Sequence, residues 1–372
     1  MRIFISIGIM LSILISGNLA GQTSITGLDK KVEDIHRKIL TIDSHNDTPQ
    51  HLMEAGFDIS KRHDPVKDHS KVDFPRMRYG GEDASFFAVF VSQGKRSNDG
   101  DFKAKERADA LIDSIYAVVE RFSGEAGIAV SPADAYKLKR QGKRAIFLGM
   151  ENGYPIGDDL SLINYFFNKG VRYITLCHTR NNDICDSSTD TTEHDGLSEF
   201  GNSVVKFMNR TGVMVDVSHI SDKSFYDVIA LSQAPVIASH SCARALCDNR
   251  RNMTDDMLQA LAKNGGVIQM CFLSAYVKKS DTALATISDV VDHIDHIVKV
   301  AGIDHVGIGT DFDGGGGVRG CFDVSEMKNI TRELLNRGYT TGDIRKIWGG
   351  NLMRVMLKVS KIAKRINPPC NC

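Results

Sequence analysis

Eight short apolar runs recur along this chain of 372 residues, most of them followed by a stretch of helical period, and that alternation restricts the fold more than any other feature. The runs cover residues 40–47, 85–91, 145–151, 172–178, 212–219, 235–240, 266–272 and 305–311. Most are continuously apolar, as parallel strands covered on both faces must be. Between them lie amphipathic stretches at 104–121, 161–169, 198–209, 223–231, 254–263 and 286–301. Ser, Thr or Asp often precedes these stretches as an N-cap, and Gly170, Gly212 and Gly302 close three of them. Strand then helix, eight times over, predicts an α/β fold of the (β/α)8 TIM-barrel type. No Pro/Ser-rich linker divides the chain, so residues 21–372 are expected to form a single barrel domain.

Two insertions follow the first and fourth runs, at 49–82 and 179–192. Both fall at the C-terminal ends of strands, where barrel enzymes build their sites. The first, rich in Lys, Asp, His and Gly, is expected to be a long loop over the site. A last helix over 341–362, carrying Trp348 and the Gly349-Gly350 pair, is expected to pack against the barrel wall.

Five of the runs finish on metal-ligand residue types: His45 with Asp47, then Glu151, His219, His240 and Asp311. Ionisable groups at the ends of buried strands are costly unless something pairs with them, and a zinc cluster would satisfy them together. His45 and Asp47 are two apart on a strand, so both face one way. Glu151 has two oxygens and can serve two ions, while His219 and His240 end adjacent strands and can converge. The expectation is Zn2+, two per chain, roughly 3.5–4 Å apart and bridged by Glu151 and a hydroxide. Other histidines read differently. His51, His63 and His69 belong to the first insertion as solvated loop residues, and His293 with His296 sits among Asp292 and Asp295 on what reads as a solvated helix face. The run Gly314 to Gly317 lacks the Lys-Ser/Thr of a phosphate loop and is expected to be a mobile loop beyond Asp311.

Lys+Arg and Asp+Glu both number 46, so no basic field exists to attract nucleic acid or an anionic membrane. Arg2, the apolar stretch 3–15 and the small-residue tail ending at Ala20 predict a signal peptide over 1–20, cleaved to leave Gly21 first. The C-terminal residues are polar, so the expected product is exported, periplasmic or secreted, with no stable membrane anchor. The eight cysteines would then meet an oxidising compartment. Their connectivity is unreadable, and Cys177, Cys185, Cys242, Cys247 and Cys271, near strand ends, read equally as core thiols.

Several long motifs make the reading specific: IDSHNDTP at 42–49, GMENG at 149–153, the stretch 176–186, DVSHIS at 216–221, SHSCARALCDNRRN at 239–252, GIGTDFDG at 307–314 and WGGNLMR at 348–354. In this order the chain resembles the membrane dipeptidase (renal dipeptidase) family of zinc peptidases over nearly everything after residue 20. The resemblance implies a binuclear zinc barrel in which His45 and Asp47 bind one ion, Glu151 bridges, and His219 and His240 bind the other. It also implies roles that spacing leaves open: His178 stabilising an oxyanion, Arg251 holding the substrate carboxylate, and Asp311 near the scissile nitrogen and free amine. Implied, too, are a dipeptide substrate, L or D residues at its C-terminal position, and a homodimer. Two other readings compete. One is a binuclear-metal barrel hydrolase of N-acyl amino acids, lactams or lactones; the other is a catalytically silent binding protein on the same scaffold.

Overall fold

The computed structural model describes residues 27–280 and 283–368. Segment 1–20, read as a signal peptide, and Cys370 and Cys372 lie outside the described residues. Nine strands are present among the described residues: β1 (Ile42–Asn46), β2 (Ala84–Phe90), β3 (Ala126–Ile128), β4 (Arg144–Glu151), β5 (Val171–Thr175), β6 (Met214–Asp216), β7 (Ile237–Ser241), β8 (Val267–Met270) and β9 (Val306–Ile308). All pair in parallel, in the order β1-β2-β4-β5-β6-β7-β8-β9. The ring closes where Asp311 N donates to His45 O at 3.0 Å and Asp47 N to Phe312 O at 2.8 Å. The result is the expected eight-stranded barrel with one addition. Strand β3 pairs with the first residues of β4, beside the stretch from Leu148 onward that pairs with β5. Three residues are too short to announce themselves by periodicity.

Side-chain alternation divides the core in two. Phe86, Phe147, Tyr173, Met214, Ile237 and Val267 fill the interior of the ring. Their neighbours Leu148, Ile174, Val215, Ala238 and Ile268 face the helical jacket and meet Leu111, Ile163, Val204, Phe225 and Ile294. The jacket helices begin as their caps predict: the side chains of Ser97, Ser198, Ser221, Thr254 and Thr286 each accept an amide of the first turn. Each cap contributes about 1 kcal/mol.

The expected final helix is present and runs on to residue 366, with a π-turn at Lys346–Gly350 between Thr341–Arg345 and Asn351–Ile366. The π-turn lets Gly349 press on Leu40 O, where a Cβ would have no room, and buries Trp348. Three other expectations are corrected. The first insertion is built rather than loose. It holds helices Pro49–Leu52 and Phe74–Gly80, and buried Arg76 bonds Asp73 at 2.6 Å and Asp323 at 2.9 Å. Within it His51 and His63 are half-buried against Phe57, while His69 is exposed. His293 is buried, not solvated: Ala243 N donates to its Nδ1 at 3.1 Å and its Nε2 donates to Val277 O at 2.8 Å. A histidine on a helix with flanking acids looks solvated until a neighbouring loop supplies its partners. The glycine run is likewise fastened, with Gly317 N bonded to Phe272 O at 2.9 Å and Lys71 Nζ donating to Gly316 O.

Candidate metal centre and active site

The C-terminal mouth of the barrel collects the strand-end residues around one carboxylate. Glu151 Oε1 lies 3.1 Å from His219 Nε2, 3.4 Å from His240 Nε2 and 3.6 Å from His178 Nε2. Its Oε2 lies 3.5 Å from His45 Nε2, which is 3.4 Å from Asp47 Oδ2. Three overlapping groups have ligand atoms close enough to share an ion: His45–Glu151–His240, Glu151–His178–His219 and His45–Asp47–Asp311. Glu151 belongs to two of them.

Each side chain has a local cause for its position. A register shift in β1 between Asp43 and Asn46 adjusts how the strand end carrying His45 and Asp47 meets its neighbour. His219, Asp311, Asp313 and Asn152 all have left-handed backbones, φ 71°, 61°, 65° and 76°. Outside glycine that region is sparsely populated, and such residues concentrate at sites that over-determine them. Tyr173 Oη lies 2.7 Å from His45 Nδ1, and its ring fills the space beside Gly149 that a Cβ would need.

The electrostatics suit a cation. Burial works against charge on Glu151, but His45 and the close imidazoles of His219 and His240 outweigh it and hold the carboxyl well below its ordinary range. Burial and the Arg251 guanidinium push His219 well below the usual imidazole value; burial, His45 and Arg251 do the same to His240. Burial disfavours charge on His45 as well, yet Tyr173, Glu151 and Asp47 overcome it and draw its proton affinity upward. That corner therefore attracts positive charge. His219 Nε2 and His240 Nε2 face one another at 2.8 Å, where two bare lone pairs would repel unless a proton or cation lay between them. His45 Nε2 and Asp47 Oδ1 are buried without hydrogen-bond partners. Neutral imidazoles, an ionised carboxylate and orphaned donor atoms fit a metal.

The remaining predicted residues gather at the same mouth. A cavity of about 430 Å3 is lined by Asp47, Glu151, His178, His219, His240 and Asp311, with Gln50, Phe90, Thr179, Leu273, Tyr276, Asp313 and Gly314 completing its wall. Burial, the neighbouring Cys271 thiol and Asp47 push Asp311 well above the carboxylate range. Burial lowers His178, whose ring packs 4.7 Å from Phe90. Arg251 stands just behind this wall, 5.7 Å from the Tyr276 ring. It donates to Ser241 Oγ and His240 O, both at 2.8 Å, and its Nε is buried without a partner. A larger hollow, about 530 Å3, opens at the N-terminal ends of β5 and β6, but it holds no comparable group of ligand-type side chains. Cys177, Cys185, Cys242, Cys247, Cys271 and Cys321 are buried free thiols. Sequence reasoning missed Tyr173 and the cavity-lining Phe90, Leu273 and Tyr276. Nothing in the sequence separates a core or loop aromatic from one that touches a site.

Comparisons with known proteins agree with this geometry. The family model for membrane dipeptidases (peptidase family M19) matches residues 29–369. The dipeptidase tcpJ of Claviceps purpurea is 37% identical over 330 residues, spanning 86% of this chain and 77% of the relative. The crystal structure of the probable dipeptidase PvdM from Pseudomonas aeruginosa superposes with a TM-score of 0.85 at 32% identity, covering 90% of this chain and 99% of that one. A metallopeptidase from Rhodobacter sphaeroides, solved with a phosphinate mimic of the dipeptide L-Ala-D-Ala, superposes at 0.78 with 25% identity, over 86% and 99% of the two chains. By its sequence and its fold, this chain belongs to the membrane dipeptidase family.

Proposed function

We propose that this protein is a zinc-dependent dipeptidase that cleaves dipeptides bearing a free amine and a free carboxylate, accepting L or D residues at the C-terminal position. The observation that carries the reading is Glu151, ionised among four imidazoles within 3.6 Å at the floor of an open cavity. His45 and Asp47 would hold one ion and His219 and His240 a second, with Glu151 shared. When bound, the pair supplies Lewis acidity toward the peptide carbonyl and lowers the pKa of water.

The chain's own groups do the rest. His178, neutral and beside Glu151, offers a hydrogen bond to charge developing on the carbonyl oxygen, an interaction worth roughly 3–4 kcal/mol in a preorganised site. Asp311, whose proton affinity is raised, carries a proton from the attacking water to the leaving nitrogen. Arg251, with its Nε–H free and a charge that reaches the cluster, holds the substrate carboxylate. Gripping both ends excludes longer chains.

The second side chain of the substrate is not itself a handle, so it can leave its α-carbon on either face. The first residue is tighter, because its amine and carbonyl are both engaged. Turnover is expected for L-Ala-L-Ala and L-Ala-D-Ala, with D-Ala-L-Ala much slower; the phosphinate ligand of the Rhodobacter relative is consistent with the second of these. The test is a panel of these dipeptides and their N-acetyl forms, run alongside metal content. Acetylation should abolish hydrolysis. If the N-acetyl forms turn over as fast, the protein is an N-acyl amino acid hydrolase on the same centre. Export is part of the proposal, and N-terminal sequencing of the native product should begin near Gly21; recovery of Met1 from cytosol would overturn it.

A further inference from the structure

Asp216 ends β6 with its side chain wholly buried, and all four of its hydrogen bonds are received. Oδ2 accepts from Thr175 Oγ1 at 2.5 Å and from Ser239 Oγ at 2.6 Å. Oδ1 accepts from Ser218 N at 3.0 Å and Ser239 N at 2.8 Å. Ser239 Oγ is in turn 2.8 Å from His240 Nδ1. A hydroxyl has one hydrogen, and here the carboxylate takes it, so Ser239 Oγ can meet His240 only as an acceptor. The ring must then carry its hydrogen on Nδ1. Its Nε2 lone pair is left facing Glu151 and His219. The backbone is pinned as well, because His240 N donates to Ser218 Oγ at 3.1 Å.

We propose that Asp216 and Ser239 are positioning residues that act through His240, fixing its tautomer and ring orientation for the metal centre. The inference rests on the reading of His240 as a metal ligand. Outer partners of ligating histidines set ring direction and basicity in this way. The alternative is a purely structural buckle, and it has substance. The β6–β7 ladder has a single aligned pair, Asp216 with Ile237, so the carboxylate also ties β5, β6 and β7 together. A buckle alone would change stability without touching the ring's tautomer or its affinity for metal.

Two measurements on the full chain separate these. The first is long-range 1H–15N correlation on histidine-labelled, metal-free wild type and Ser239→Ala. Wild-type His240 should show the Nδ1–H form, with the Nε2–H form appearing in the variant; an Nε2–H wild-type ring overturns the relay. The second is zinc affinity by competition with a chromophoric chelator, beside the thermal unfolding midpoint. Ser239→Ala should weaken one zinc step about 10- to 100-fold. An unchanged zinc constant with a lowered midpoint identifies a buckle and overturns the proposal. If wild type takes up no zinc, the metalloenzyme reading fails instead, and the tautomer result still decides the relay.

Discussion

At the scale of single residues, the proposed function depends on whether Glu151 stays charged inside the barrel. A carboxylate that is 3% exposed is tolerable only because imidazoles surround it and a cation can join them. Glu151→Gln nearly preserves volume but removes the charge. Metal retention after dialysis should fall, and activity should drop by ~100-fold or more, beyond the cost of losing an outer partner alone. Two ions bound with full activity would show that Glu151 does not bridge. Arg251→Lys makes a different point. The guanidinium donates to Ser241 Oγ and His240 O while its charge reaches the cluster, and an ammonium cannot keep that planar arrangement. We expect KM to rise for every dipeptide, with metal content unchanged; loss of metal instead would move Arg251 from substrate binding to support of His240.

At the scale of elements, the site belongs to strand ends and the loops that leave them. The turn after β9 puts Asp311 and Asp313 in left-handed conformations and then lays Gly314 against the cluster. A Cβ on Gly314 would fall on Asp47 Oδ2 and Asp311 Oδ1. Gly314→Ala should therefore cut kcat/KM by about 10-fold or more, since small displacements at a reacting centre are amplified. The thermal midpoint should barely move, because the strain can be relieved toward the open cavity. A large fall in midpoint with normal activity in the remaining folded protein would place the importance of Gly314 in folding.

At the scale of the whole molecule, the far side of the barrel is held by a buried chain of hydrogen bonds. Trp348 Nε1 donates to Thr331 Oγ1 at 2.7 Å, and Thr331 Oγ1 donates to His36 Nε2, also at 2.7 Å. His36 Nδ1 donates to Gly81 O at 3.1 Å. This chain needs a neutral imidazole, and burial lowers His36 from 6.5 to about 4. Between those values the unfolded chain binds the proton that the folded one refuses, so stability rises with pH. The contribution is complete above pH 6.5 and lost as pH falls toward about 4, a change on the order of 3 kcal/mol. Urea unfolding of wild type and His36→Gln across that window should show the wild type losing more stability. Parallel curves would mean that His36 does not carry the dependence.

The barrel was readable because it repeats. Each apolar run and each capped helix is a local signal, and most predicted strands and helices match the observed bounds closely. The helix Asn98–Arg121 nevertheless begins earlier than its expected start at 104, and the helices Gly27–Lys38, Pro132–Arg140 and Lys328–Asn336 lie outside the predicted stretches. Metal-ligand types at the ends of the runs were equally local, but their directions were not. His219 and Asp311 lie past the ends of β6 and β9 in left-handed conformations, where a strand's period of two no longer applies. Other features had no local sign. Strand β3 forms only because β4 offers an edge beside its first residues, and His293 is buried only because residues 243 and 277 reach it. Tyr173 reads as core and becomes a partner of His45 through a contact across 128 residues. The sequence by itself determined the kind of fold and the residue types at the barrel mouth, because periodicity and capping act over a few residues. Tertiary structure alone decided which of those residues share an ion-sized space and which groups aim them, because barrel closure brings residue 45 within reach of 311.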